Sequence, residues 1–213
     1  MRLIVGMSGA SGAIYGIRLL ETLRDQGVES HLVISGSAQK TIELETNYHI
    51  TDVQALASRV YDYSDLAASI SSGSFLTDGM VVIPCAIKSL AGIAHSYNDN
   101  LLIRAADVCL KERRRLVLVV RETPLHIGHL KLMLAVAEMG GVILPPVPAF
   151  YHMPKTLADV IGHTVGKVLD QWGLEARLTR RWSGVEDDSG KRIQRESVSL
   201  VKHQPRRLRN QRK

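Results

Sequence analysis

The chain has 213 residues, 45% hydrophobic and 23% charged, which suits one folded domain and excludes a collagen, a coiled coil or a wholly disordered chain. Its net charge is +6. Residues 186–213 carry +5 of that, leaving +1 for the other 185, so basicity belongs to a tail and no nucleic-acid partner is expected. The longest apolar run, Leu132–Ala137, has six residues. A membrane span needs about 20 and a signal peptide a longer apolar stretch than Leu3–Val5, so a cytoplasmic protein is expected. Cys85 and Cys109 stand far apart. They suggest neither a disulfide framework nor a zinc site, and Cys109 falls on a core-facing position.

In chain order, strands and helices alternate. Leu3–Met7 reads as a buried strand ending in a Ser/Gly cluster. Ala13–Gln26 has helical spacing and stops at Gly27. His31–Ile34 is a second strand, followed by a helix through Ala38–Glu45. Val53–Val60 is expected as a helix, and 70–74 as a loop. Met80–Ile83 is a third strand, stopped by Pro84. Helices follow at Ile87–Ala94 and Leu101–Glu112. Leu116–Val120 is a fourth strand, Ile127–Met139 a helix, Val142–Leu144 a fifth strand and Thr156–Trp172 the last helix. Strands that are apolar throughout and joined by helices predict a parallel sheet covered on both faces. The expectation is one doubly wound α/β domain over 1–185, Rossmann-like or flavodoxin-like, with a disordered basic tail over 186–213.

In such sheets ligands bind beyond the carboxyl ends of the strands. Five polar or rigid turns gather there: Ser8–Gly12, Ser35, Pro84–Ser89, Arg121–Pro124 and Pro145–Tyr151. The glycines at 6, 9 and 12 have neither the dinucleotide nor the phosphate-loop spacing. Free N–H groups at a helix start still suit an anion. A guanidinium at Arg121, directly after a buried strand, calls for a partner: a ligand phosphate, or a salt bridge with Glu122. Lys111–Arg115 also reads as a solvated helix end. His126 and His129 lack a third metal ligand, so no metal is expected. From the residues alone, the domain binds a small anionic, aromatic ligand.

Several motifs carry a resemblance: Gly6–Gly12, Leu44-Glu45-Thr46, Ser71–Ser74, Arg104–Val108, Leu110–Arg114, Arg121–Leu125, Pro148–His152 and Arg181-Trp182. They resemble the flavin prenyltransferase family (UbiX/Pad-type), in particular its enterobacterial members serving ubiquinone biosynthesis. The resemblance implies transfer of a dimethylallyl group from dimethylallyl phosphate to N5 of reduced FMN, with ring closure at C6. It implies delivery of the prenylated FMN to a UbiD-type decarboxylase, no metal, and a homododecamer with FMN where subunits meet. It assigns Gly9, Ala10, Ser11, Ser35, Ala86, Ile87, Lys88, Ser89, Arg104 and Arg121 to FMN. Lys111, Arg121, Glu122, Tyr151 and Lys167 are assigned to the prenyl phosphate, and Ser11, Glu45 and Trp182 to catalysis. Ala86 stands where the family often has Ser, and Lys167 where it often has Arg. Ser11 and Glu45 match a proton-transfer pair, for which a carboxylate of raised basicity is expected; pairing of Glu45 with a nearby Arg or Lys is the alternative. Two other functions stay open: an FMN-dependent decarboxylase of 3-polyprenyl-4-hydroxybenzoate or related aromatic acids, and a flavin carrier without chemistry.

Overall fold

The computed structural model describes residues 1–175 and Leu178; Trp182 and the expected tail lie outside the described residues. Six strands form one sheet: β1 (Arg2–Met7), β2 (Glu29–Ile34), β3 (Arg59–Tyr61), β4 (Gly79–Cys85), β5 (Arg115–Val120) and β6 (Val142–Ile143). The helices are α1 (Ala13–Asp25), α2 (Gly36–Glu45), α3 (Ile50–Gln54), α4 (Ile87–Ala94), α5 (Leu101–Lys111), α6 (Ile127–Glu138) and α7 (Leu157–Asp170). All strand pairs are parallel, in the order β3-β2-β1-β4-β5-β6. The doubly wound α/β fold expected from the alternating pattern is therefore the fold observed.

Both faces of the sheet are covered, which is why its strands are apolar at consecutive positions. Leu3, Val5 and Met7 point into a core shared with Ile17 and Leu20 of α1 and Val165 and Leu169 of α7. Ile4 points the other way, with Met80 and Val82, into a core shared with Leu90 of α4 and Leu102 and Ala105 of α5. Both cysteines are buried. Burial pushes each thiol up to about 12, so neither is a ready nucleophile.

Two expected elements differ. The helix expected over Val53–Val60 is instead α3 followed by the edge strand β3. Three residues, two of them exposed, are too few to print a strand period on the sequence. Pro84 does not stop its strand; it lies within β4, where pairing with β5 shifts register between Val82 and Cys85. A residue without an N–H costs no ladder bond at such an interruption.

Candidate active site

The strand order reverses direction between β1 and β4, and the crevice beyond their carboxyl ends is where such folds bind ligands. Ser8 ties these two turns together. It is 2% exposed. Its N–H and hydroxyl donate to the Pro84 carbonyl at 3.2 and 3.0 Å, and its oxygen accepts the Ala86 N–H at 2.7 Å. Gly9 then passes so close to the turn after β2 that a Cβ would lie 2.3 Å from Ser37 Oγ. Gly12 starts α1 at φ 100°, a conformation that favours glycine. Ser35 is buried and caps α2, its hydroxyl accepting the Ala38 N–H at 3.1 Å. Ala86 precedes α4 with no side-chain cap. The first N–H groups of α4, at Ile87, Lys88 and Ser89, have no intrahelical acceptor by helix geometry and suit an anion.

Glu45 ends α2 and turns back onto α1. Its Oε2 accepts the N–H of Gly12 at 2.7 Å and of Ala13 at 3.2 Å. Partial burial pushes its carboxyl up, but hydrogen bonds from Ser11, Gly12 and Ala13 and the Arg121 charge outweigh it, and the pKa falls below the ordinary value. The expected rise in basicity is therefore overturned: the carboxylate is hydrogen-bonded in its charged form. Among the described residues no Lys or Arg side chain pairs with it; its partners there are Ser11 and the start of α1.

Arg121 follows β5, its N–H bonded to the Cys85 carbonyl at 3.0 Å. The side chain is exposed, so the expected penalty of burying it does not arise. The salt bridge with Glu122 is not formed: Glu122 Oε1 accepts the Thr123 N–H at 3.1 Å. Among the described residues Arg121 has no ion pair, yet its charge reaches Glu45 and the phenol of Tyr15. Burial raises the Tyr15 pKa, and its hydroxyl is hydrogen-bonded to Thr164 of α7.

The next turn brings Tyr151 against two imidazoles, with ring centroids 5.4 Å from His152 and 5.8 Å from His163. Those imidazoles stack at 4.9 Å and 13°. Burial, with the charges of His152 and Lys167, lowers the His163 pKa. Lys167, one turn further along α7, is exposed and 3.8 Å from Asp170.

Arg104 and Lys111 are not part of this cluster. They lie on α5 and line an open cleft of about 620 Å³ with the loop Ser71–Ser74 and Glu112. Lys111 ends α5 just before β5, and Arg121 follows the far end of that six-residue strand, about 20 Å away. The fold of one chain thus divides the expected site residues between two places. Ser8, Tyr15, Thr164, His152 and His163 were not among those expected residues. Ser8 stood in a turn read for its composition and His152 in the motif Pro148–His152, while Tyr15, Thr164 and His163 carry no local signal beyond their helices. The His126 and His129 rings lie 3.6 Å apart, tilted by 37°, but His126 Nδ1 accepts the Gly128 N–H at the start of α6. Among the described residues no group of three or more His, Cys, Asp or Glu is placed to hold a metal.

The Flavoprotein family model matches residues 1–162. Flavin prenyltransferase UbiX of Escherichia coli K12 is 63% identical over 186 residues, covering 86% of this chain and 98% of that protein. This chain belongs to the flavin prenyltransferases of the flavoprotein family. Two solved structures are similar to this flavin prenyltransferase throughout the domain. A dodecameric FMN-dependent UbiX-like decarboxylase from Escherichia coli O157:H7 has 57% identity and a TM-score of 0.85, over 86% of this chain and all of the other. AnUbiX (PadA1), in complex with FMN and dimethylallyl pyrophosphate, has 51% identity and a TM-score of 0.86, over 87% of this chain and 98% of the other. Among the described residues, no helix of this family member is long and apolar enough to cross a membrane.

Proposed function

We propose that the protein transfers a dimethylallyl group from dimethylallyl phosphate to reduced FMN, and that the prenylated flavin serves a UbiD-type decarboxylase. The observation that carries this reading is the exposed Arg121, without an ion pair among the described residues, beside the uncapped start of α4. Glu45 already occupies the start of α1, whereas no side chain caps the start of α4, so its N–H groups are offered to the FMN phosphate. The Gly9-Ala10 turn, without bulk, lets a planar ring approach the backbone. These features fit FMN. When bound, reduced FMN supplies the nucleophilic ring that accepts the allyl group.

The chain's own residues do the rest. Breaking the allyl–phosphate bond builds negative charge on the departing phosphate. Arg121 and Lys167 stabilise that charge, and the phenol of Tyr151 donates to it. Ser11, bonded to Glu45, holds a hydroxyl at the crevice mouth; with Glu45 charged, that pair accepts a proton released by the ring. Trp182, through its π-face, is proposed to stabilise the allyl cation.

Arg104 and Lys111 join this site from a second subunit. The supporting observation is α6, where Ile127, Leu130 and Leu134 lie 68, 48 and 57% exposed on one helical face. Phe150 and Met153, in the loop before α7, are 73 and 80% exposed. An apolar surface of this kind marks an interface, and a homo-oligomer, as in the dodecameric relative, would cover it.

The test is anaerobic incubation with FMN, a reductant and dimethylallyl phosphate, followed by mass analysis of the flavin. The expected product is FMN enlarged by one C5H8 unit. Unmodified FMN from protein that has bound both ligands would overturn the reading.

A further inference from the structure

Lys111 and Glu112 close the cleft beside the serine loop, with the ammonium and carboxylate in direct contact. Gly73 makes room for them. A Cβ there would lie 2.2 Å from Glu112 Oε1 and 3.0 Å from Lys111 Nζ, so the pair rests over the loop where a side chain would have been. Further back on α5, Arg104 is held the same way. Its Nη1 donates to Asp107 Oδ2 at 3.1 Å and its Nε to the Ser71 carbonyl at 3.0 Å. Asn98 donates to the same Asp107 oxygen at 3.0 Å. Lys111 and Arg104 thus each carry a carboxylate, and those four side chains sum to zero formal charge, while Arg114, behind the loop, donates to the Gly73 and Phe75 carbonyls. Asp107 is fixed by two donors. Glu112 is a cleft-lining carboxylate beside the Lys111 ammonium.

We propose that Glu112 is a specificity residue. Its carboxylate limits the negative charge that the Lys111 wall accepts, admitting the allyl monophosphate and disfavouring the diphosphate. This rests on the reading that places Lys111 on the donor's phosphate. A phosphate reaching Lys111 shares that ammonium with Glu112, and each further negative charge on the ligand is repelled by the carboxylate at a distance of a few ångströms. At the effective dielectric of a half-exposed cleft, that repulsion is on the order of tenfold in affinity per added charge. Asp107 serves a different purpose: bonded to Arg104 and Asn98, it orients the guanidinium.

The experiment measures competition of inorganic phosphate and inorganic pyrophosphate with the donor on the FMN-loaded oligomer, for the parent, Glu112→Gln, Glu112→Asp and Asp25→Asn. Asp25 is an exposed carboxylate at the end of α1 and controls for net charge. The parent should favour phosphate. Glu112→Gln should shift the ratio of the two dissociation constants toward pyrophosphate about tenfold, while Glu112→Asp and Asp25→Asn stay close to the parent ratio. The ratio of kcat/KM for the monophosphate and diphosphate donors should move the same way. An unchanged ratio in Glu112→Gln, or an equal shift in Asp25→Asn, would overturn the proposal. If the parent prenylates with neither donor but Glu112→Gln still shifts the ion ratio, charge selection stands and the prenyl-transfer reading falls.

Discussion

Glu45 Oε2 takes the Gly12 N–H at 2.7 Å, and so α2 ends on the start of α1. A carboxylate is unfavourable at the end of its own helix and favourable at the start of another. One charge therefore links two successive βα units and fixes the turn that carries Ser11. The same bonds that make Glu45 a weaker base hold it charged across the neutral range.

The Glu45 contribution to stability should depend on acid. Its carboxyl titrates below its ordinary value of 4.5 in the folded chain. The contribution is complete above that value and is lost as pH falls through the lower folded one. Glu45→Gln should cost about 1 kcal/mol at pH 7 and much less near pH 3. Urea titrations at both pH values would check this, and an equal cost at both would make Glu45 a packing residue.

Ser8→Ala should be more damaging than its size suggests. It leaves the Ala86 N–H without its acceptor and removes one donor from the Pro84 carbonyl. The expected cost is about 1–3 kcal/mol, with a loss of FMN affinity, because the turns after β1 and β4 are no longer held together. Denaturant unfolding and flavin titration would measure both.

If Arg121 and Lys111 act in one site from different subunits, variants of the two should complement each other. Arg121→Ala and Lys111→Ala oligomers should each be nearly inactive. Randomly mixed oligomers should regain activity at about a quarter of their sites, those that draw an intact residue from each subunit. No recovery on co-expression, with mixed oligomers confirmed by mass, would place both residues in the same subunit's site.

His163 should add an acid sensitivity of its own. Its folded pKa lies below the ordinary 6.5, so the unfolded chain takes up protons first as pH falls. The stability tied to neutral His163 is full above about 6.5 and declines below it. His163→Gln should flatten the fall in melting temperature between pH 7 and pH 5.5. An unchanged slope would assign that fall to other groups.

The central strands were legible because burial on both faces writes an unbroken apolar run, as in Leu116–Val120. The turns after them were legible because Ser, Gly and Pro have few other uses at strand ends. β3 was not, being short and at the edge. Pro84 misled because its place at a register shift is a property of the pair β4–β5, not of β4. Resemblance assigned Lys111 and Arg121 to one ligand site where subunits meet, and the fold of a single chain sets them at opposite ends of β5, a separation that local pattern does not encode. The state of Glu45 was hidden for a related reason. Its partners are backbone N–H groups 32 and 33 residues away, and burial alone predicted the wrong direction.

If the exposed face of α6 is the subunit interface proposed above, concentration becomes a variable of folding. Only Val136 of that helix is buried within its own chain, so a subunit set free by dilution presents Ile127, Leu130 and Leu134 to water. Association and unfolding then become linked equilibria. The melting temperature should climb with protein concentration, and dilute samples should lose α6 before they lose the sheet.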